Sequence, residues 1–536
     1  MLVSLGWAHS MVSTRNIAYL LLGYLFCRIL YRLIIYPRFL SPLRSIPGPP
    51  LRDIFVGQSN TINSPTREDD FRNWVHRYGP IVRIVGPIGM ENLLILSPEV
   101  LHAVLVKDWL DFPRPNYVRK ILGLVAGHGL LTVTGDEHKS MRRAMNPAFS
   151  MGNLTAQTDM YYEPIENLVA LLQSTCQKGG TVVEMYPWLS KVTLDIICET
   201  AFGYSADSLH NPHNELAATY ERLLSLQTER NFVLLAGLVS IPGMPALLNS
   251  NWISDSWLFN ALAPRLVSTL VESTHTIRTI SKRILSERML AMSAIHSSDL
   301  STKKDIMSIL IRARHAELVK DGTYSMTDEA MVDQVLTFLG AGHETTASGL
   351  SWTLWLLASH PEAQNRLRAE VTPTLTSDPR PDYRTLKDMK WLDCVIMESL
   401  RVMPPVPLTT RKAKQDLFVE GHLIPKNTLT IIPIHQVNTW KAVWGEDAEQ
   451  FRPERWLDLP KAYNPQFSML SFITGLHGCI GKTMAMIEMK AVLASLVANF
   501  VFKPAYDGQV PQPGSAITMK PLDGMPLLVT PILTKQ

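Results

Sequence analysis

Near the N-terminus, Ile17 to Cys27 (IAYLLLGYLFC) carries no charge, and the apolar character runs on to Tyr36 past Arg28 and Arg32. As a helix these 20 residues span roughly 30 Å, enough to cross a bilayer with the two arginines reaching back to the headgroups. A second reading of the span uses the charge-poor stretch Leu2 to Phe26. Arg28, Arg32, Arg38 and Arg44 come after the apolar core and only Arg15 precedes it, so the positive-inside rule keeps the C-terminal bulk of the chain in the cytosol. A cleaved signal peptide would put its charge on the other side and carry an A-x-A-like site, so the pattern reads as an anchor over residues 1–36.

Pro37, Pro42, Pro47, Pro49 and Pro50 then predict a stiff extended connector, residues 37–50, and not a helix. Ile81–Val85 and Asn92–Leu96, parted by a Gly-Pro turn, read as a hairpin. Helical periodicity dominates from Ser97, where Ser97-Pro98-Glu99 supplies a cap, a first-turn proline and an acid at the positive end of the helix dipole. The longest helix is expected over Asp328–Ser359, capped by Thr327 and closed before Pro361; 32 residues give roughly 48 Å. Further helices are expected over Glu362–Val371, Leu386–Val402 and Lys482–Phe500, with strand character over Val419–Ile434. Ser297–Lys304 and Pro504–Ser515 read as loops. The pattern is mainly α with small β-sheets (α+β): a single large domain, residues 51–536, behind the anchor and connector.

Composition narrows the function. Of 536 residues, 46% are hydrophobic and 18% charged, which builds a large core and excludes a disordered chain. Lys and Arg number 51 against 48 Asp and Glu, a balance of +3 that offers no basic field for a nucleic acid. Five widely spaced cysteines do not form the pattern of a secreted disulfide scaffold, and no CxxC or CxxH spacing suggests zinc.

The candidate chemistry begins with Phe472-Ile-Thr-Gly475-Leu-His477-Gly-Cys479-Ile-Gly481, a cysteine in a glycine-punctuated loop leading into an apolar helix. Glycines permit a backbone tight enough to aim amides at a sulfur, and a helix start favours its thiolate, so the loop suits a metal-bound thiolate. An inert buried cysteine at a helix cap is the other reading.

With this loop the chain resembles the cytochrome P450 family of haem-thiolate monooxygenases. The resemblance implies the P450 fold, haem b as cofactor and Cys479 as axial iron ligand. Glu398-Ser-Leu-Arg401 and Phe451-Arg-Pro-Glu-Arg455-Trp456 match the family's Glu-Arg-Arg cluster, which makes Glu398, Arg401 and Arg455 a structural lock behind the cysteine loop. Ala341-Gly342-His343-Glu344-Thr345-Thr346, whose glycine and threonines have poor helix propensity and mark a kink, matches the family's pattern over the open haem face. There Ala341 and Gly342 would leave a groove for dioxygen, Thr345 would hydrogen-bond the oxygen to be split, and Glu344 would relay protons from solvent. Two positions depart from the commoner pattern. His477 stands where an arginine usually meets a haem propionate, and His138 where a tryptophan is usual, so propionate anchoring leans on Arg142 and Arg411 as well.

The resemblance runs from the anchor and the IPGPP segment through Asn146-Pro147-Ala-Phe149 to the C-terminal strands. It implies pocket walls from the loop Asn116–Leu131, the helix stretch Phe338–Gly342 and the segment Val406–Thr410. Phe232–Leu262, with Trp252, Trp257 and Phe259, reads either as a second membrane-contacting surface or as core. Expected partners are a lipophilic small molecule, O2, the membrane, an NADPH-cytochrome reductase and a small haem electron-transfer protein; the sequence has no Gly-rich dinucleotide-binding unit of its own. The expected location is the endoplasmic reticulum membrane, single-pass, with the catalytic domain cytosolic. By analogy with fungal members the reaction is a hydroxylation in secondary-metabolite biosynthesis, with terpenoids as one candidate class. Two other classes stay open: a haem-thiolate isomerase or dehydratase that needs no external electrons, and a non-catalytic haem-binding sensor.

Overall fold

The computed structural model describes residues 14–532, apart from 52, 63, 65–66, 178, 212, 255, 257–258, 260–262, 294–303, 320–325 and 515–516. Residues 2–13 of the alternative span Leu2–Phe26, the expected loop Ser297–Lys304 up to residue 303, and Trp257 lie outside the described residues. In chain order the principal elements are α1 (Thr14–Leu30), α2 (Arg67–Tyr78), β1 (Ile81–Val85), β2 (Glu91–Ile95), α3 (Pro98–His102), α4 (Asn116–Ala126), α5 (Gly135–Met145) and α6 (Tyr162–Thr175). There follow β3 (Thr181–Glu184), α7 (Met185–Phe202), α8 (Glu215–Ser225), α9 (Glu229–Ser240), α10 (Arg265–Ser293), α11 (Asp328–Ser359), α12 (Pro361–Ser377), α13 (Tyr383–Asp388) and α14 (Lys390–Val402). The last are β4 (Thr409–Lys412), β5 (Leu417–Val419), β6 (His422–Ile424), β7 (Leu429–Ile432), α15 (Lys482–Asn499), β8 (Phe500–Pro504) and β9 (Pro526–Pro531). The expected class, mainly helical with small sheets, is the observed one.

Two compact units emerge: residues 1–100 with 412–431, and residues 101–411 with 432–536. In the first, β1 runs antiparallel to β2, with Ile81 opposite Ile95, and β2 runs parallel to β7, with Asn92 opposite Leu429. The hairpin expected from the sequence is therefore present, its second strand starting one residue early. The connector differs from expectation. The anchor helix does not stop at Pro37 but continues in wide π turns over Tyr31–Leu40, with Pro37 inside it and Ser41 N donating to Tyr36 O at 2.8 Å. Extended backbone begins only at Ile46, after a short 3-10 turn over Pro42–Ser45. Pro37 has no amide hydrogen to donate, so its bond to the preceding turn is missing, and the chain passes it in wider π turns.

Polar pairing and close approach fix the connector. Ser41 Oγ donates to Glu91 Oε2 at 2.6 Å, and Arg83 bridges Glu91 and the Pro37 carbonyl. Arg83 N donates to Pro47 O at 2.9 Å, and a Cβ on Gly48 would fall 1.9 Å from Arg83 O, so only glycine fits there.

In the second unit α11 is the central element, packed against α4, α7, α10, α14 and α15. Its limits are those expected, and the Thr327 hydroxyl accepts from Ala330 N at 3.1 Å as its cap. The weak stretch 341–346 is helical throughout, because Thr345 and Thr346 donate their hydroxyls back to Ala341 O (2.7 Å) and Gly342 O (3.0 Å). Expected helix Leu386–Val402 is instead two pieces, broken at Met389. The Glu370 carboxylate, from α12, accepts from Trp391 N (2.9 Å) and Leu392 N (2.8 Å) and so starts α14 afresh. Helix α12 runs past Val371 to Ser377 with Pro373 inside it. The expected loop Asn116–Leu131 is mostly the helix α4. A three-stranded sheet of β3, β9 and β8, all antiparallel, closes this unit.

One helix among the described residues, Ile17–Leu40, is long and apolar enough to cross a membrane, and its flank is bare: Leu20 is 71% exposed and Phe26 66%. The full chain is therefore expected to pellet with membranes after high-salt washing, while a chain shortened to begin at Ser41 stays largely in the supernatant. Equal partition of the two would show that this helix does not anchor.

Candidate active site

Cys479 closes a loop folded back on itself: its amide donates to Phe472 O at 2.8 Å, and Gly478 N donates to Gly475 O at 3.0 Å. Gly475 has φ +74°, and a Cβ there would meet Leu105 O at 2.2 Å, so the turn needs glycine. The Cys479 side chain is solvent-accessible, yet burial in the surrounding protein raises its thiol pKa, outweighing the Gly481 amide, Arg142 and Lys482, which lower it. Accessible but poorly hydrated is the condition of a group on the floor of a recess. Desolvation of the thiol is the largest of these influences, and the Gly481 amide, Arg142 and Lys482 act in favour of the thiolate.

Around this loop the structure gathers His138, Arg142, His477 and Arg411, together with Arg114 and Trp109, which the sequence reading missed. His138 and Arg142 sit one turn apart on α5, and Arg142 Nη1 donates to Gly478 O at 2.6 Å. The His138 and His477 rings lie 4.2 Å apart, with Trp109 edge-on to His477 at 5.4 Å. Arg411, on β4, is buried and spends Nη1 on Thr409 Oγ1 (3.0 Å) and Thr410 O (2.8 Å). Arg114 Nη1 donates to Leu131 O at 2.7 Å. Burial, then like charge, pushes these groups toward neutrality: Arg114 down to about 10, Arg411 to about 9, His138 to about 4 and His477 to about 2. The groups acting on His477 are Arg114, His138, Arg411 and Arg142, and each disfavours its protonation. Buried His138 Nδ1, His477 Nδ1 and Arg411 Nη2 have no hydrogen-bond partner.

On α11, Ala341 is exposed in mid-helix, and the Thr345 side chain, one turn on, is open on the same face. Their neighbour Glu344 points elsewhere and is buried: Tyr186 Oη donates to Oε2 at 2.6 Å, and Thr518 Oγ1 lies 2.9 Å from Oε1. Burial raises its carboxyl pKa, against the Tyr186 and Thr518 hydrogen bonds and the charge of Lys520.

Glu398, Arg401 and Arg455 come together as a third group. The fully buried Glu398 carboxylate accepts from Arg401 Nε (2.7 Å) and Nη2 (2.8 Å), Arg452 N (3.0 Å), Arg455 Nε (3.3 Å) and Trp456 Nε1 (3.0 Å). Arg401 also donates to the carbonyls of Asn438, Ala448 and Gln450. Asn438, unforeseen from the sequence, carries the connection onward. It accepts from Leu470 N at 2.7 Å and donates to Ser471 Oγ at 2.8 Å, while Ser471 donates to Leu400 O at 2.7 Å. The residues just before the cysteine loop are thereby bound to the C-terminal turn of α14.

A family model for cytochrome P450 matches residues 47–527. The chain belongs to the cytochrome P450 family. Cytochrome P450 monooxygenase sphH of Aspergillus fumigatus is 32% identical over 536 residues, covering 96% of this chain and 93% of that protein. FSL4 of Gibberella zeae and FUM15 of Gibberella moniliformis, both cytochrome P450 monooxygenases, are 29% and 28% identical, each match covering 88% of this chain and 84% of the relative. This P450 is accordingly an oxidoreductase of the monooxygenase class, with haem b held through a thiolate as its cofactor. The recess fits that group. An accessible cysteine suits a haem held through sulfur, and unpaired buried nitrogens of His138, His477 and the cationic Arg411, with no carboxylate acting on them, suit two propionates.

The Glu398 clamp yields a direct test. Glu398→Ala leaves the fully buried Arg401 guanidinium without a counter-ion, while Arg455 keeps Asp447, and should destabilise the fold by about 3–5 kcal/mol, read as a lowered urea midpoint. A loss under about 1 kcal/mol would show that the clamp is not a structural lock.

Proposed function

We propose that this P450 inserts one atom of dioxygen into a C–H bond of a lipophilic small molecule, a hydroxylation in secondary-metabolite biosynthesis for which terpenoids are a candidate class. Electrons come from NADPH through a membrane-bound reductase, with a small haem electron-transfer protein as a further donor. The reading is carried by one observation: an interior helix opens a small residue and a hydroxyl, Ala341 and Thr345, beside a buried carboxyl of raised pKa at Glu344. A carboxyl whose pKa is raised by burial is better matched to proton delivery than an ordinary surface acid, and an isomerase, dehydratase or sensor has no use for one.

Haem b, when bound, supplies the iron at which dioxygen is reduced. Cys479 would hold its iron through the thiolate sulfur. Arg142, Arg411, His138 and His477 would hold the propionates, which would give the unpaired His138 Nδ1, His477 Nδ1 and Arg411 Nη2 the partners they lack within the chain. Thr345 orients the reacting oxygen by its hydroxyl, and Glu344 stores the proton. Glu398, Arg401 and Arg455 touch none of these groups and act by holding the cysteine loop in place.

Substrate enters from the bilayer. Support comes from the exposed apolar side chains of the stretch 232–262: Val233, Leu234, Ile241, Leu247 and Trp252, the last 75% exposed. The pocket is walled by residues 116–131, 338–342 and 406–410. In this arrangement residues 1–36 form a single-pass anchor in the endoplasmic reticulum membrane, 37–50 a hinge, and 51–536 the cytosolic catalytic domain.

Turnover under ¹⁸O2 with reductase, NADPH and a panel of lipophilic substrates tests the reaction. One labelled oxygen is expected in product and the other in water, with no product when NADPH is omitted. Product formed without NADPH would place the chain among the isomerases or dehydratases, and substrate binding with no product under any condition would make it a sensor.

A further inference from the structure

Three segments remote in sequence converge on the Glu344 carboxyl. Tyr186, at the start of α7, donates Oη–H to Oε2 at 2.6 Å. Thr518, in the segment before β9, has its hydroxyl 2.9 Å from Oε1. The same hydroxyl lies 2.9 Å from Gln227 Oε1, in the turn between α8 and α9. Lys520 donates from Nζ to Leu224 O at 2.8 Å, tying the C-terminal segment to the end of α8. The titratable groups acting on the carboxyl are Tyr186 and Lys520.

Proton counting decides how such a cluster is wired. A threonine hydroxyl has one proton, and here it faces two oxygens. With the Gln227 oxygen accepting from Thr518, the contact to Glu344 is satisfied only when Glu344 carries a proton on Oε1 and donates it to Thr518. When Glu344 ionises, Thr518 turns its own O–H from Gln227 to the carboxylate, and Tyr186 keeps donating to Oε2. Glu344 then keeps two hydrogen bonds in both protonation states without any backbone movement, and the oxygen that gives up its Thr518 donor on ionisation belongs to Gln227, which is only partly buried.

We propose that Tyr186 and Thr518 are positioning residues for the proton-delivery acid, with the Thr518 hydroxyl turning between Gln227 and Glu344 as the acid loses and regains its proton. The inference rests on the reading of Glu344 as the proton donor and extends it to residues that touch neither haem nor substrate. Both donors stabilise the carboxylate more than the acid, since a hydrogen bond to a charged group is the stronger one. Removing either should therefore make Glu344 a weaker acid and a slower proton source.

The test uses haem-loaded full-length protein and two readouts. The first is the infrared carbonyl stretch of a protonated carboxylic acid, assigned to Glu344 by its loss in Glu344→Gln and titrated with pH. In Thr518→Val and in Tyr186→Phe the band should persist to higher pH, with roughly tenfold weaker acidity. Thr518→Ser, which keeps the rotor, should restore the wild-type titration. The second readout is product formed per NADPH consumed, expected to fall several-fold in the Val and Phe variants with matching peroxide release. Absence of any protonated Glu344 band in the wild type would overturn the wiring. If Glu344→Gln uncouples turnover while Thr518→Val and Tyr186→Phe titrate and couple as wild type, the positioning role is wrong and the relay stands. If Glu344→Gln itself couples normally, both fall.

Discussion

Buried positive charge without a counter-ion is the constraint around which the second unit is arranged. Arg114, Arg142, Arg411, His138 and His477 converge on the cysteine loop, and burial with mutual repulsion drives most of them toward their neutral forms. A fold carries such a cluster at a cost, since each desolvated cation forgoes water without gaining an anion. The arrangement makes physical sense when a ligand brings the missing negative charge, as the propionates of haem b would. Two of the five groups are histidines, so part of the cluster can shed its charge where a guanidinium would hold it more firmly.

The rigidity to hold that recess comes from the opposite device, a carboxylate saturated with donors. Glu398 accepts five hydrogen bonds, from two arginine side chains, one tryptophan and one backbone amide, and its partner Arg401 lies 4.8 Å from the Trp444 ring centroid. A buried ion pair with every lone pair satisfied is expensive to break even where it adds little net stability. Through Asn438 and Ser471 this clamp reaches the residues preceding Phe472, so the position of Cys479 is set from behind by polar contacts.

Much of this was legible in the sequence where signals were local. Thr327 with Asp328 and Glu329 marks the start of α11 to the residue, and the glycine and cysteine spacing marks the loop. Local signals failed where a distant residue decided the outcome. No pattern in 386–402 announces the break at Met389, because the cap on α14 is Glu370 from the preceding helix. Pro37 reads as a helix breaker, yet the wide turns around it accommodate the ring. The partners of Glu344 lie 158 and 174 residues away, beyond the reach of any periodicity. Arg114 and Trp109 were missed for the same reason: each belongs to the site only once α4, α5 and the cysteine loop have packed.

The central claim is that Cys479 gives its sulfur to the iron of haem b. Reduced full-length protein exposed to carbon monoxide should show the strongly red-shifted Soret band of thiolate ligation, and Cys479→Ser should abolish the shift even where haem is retained. A wild-type band at the unshifted position, or a shift that survives in the serine variant, would contradict the account.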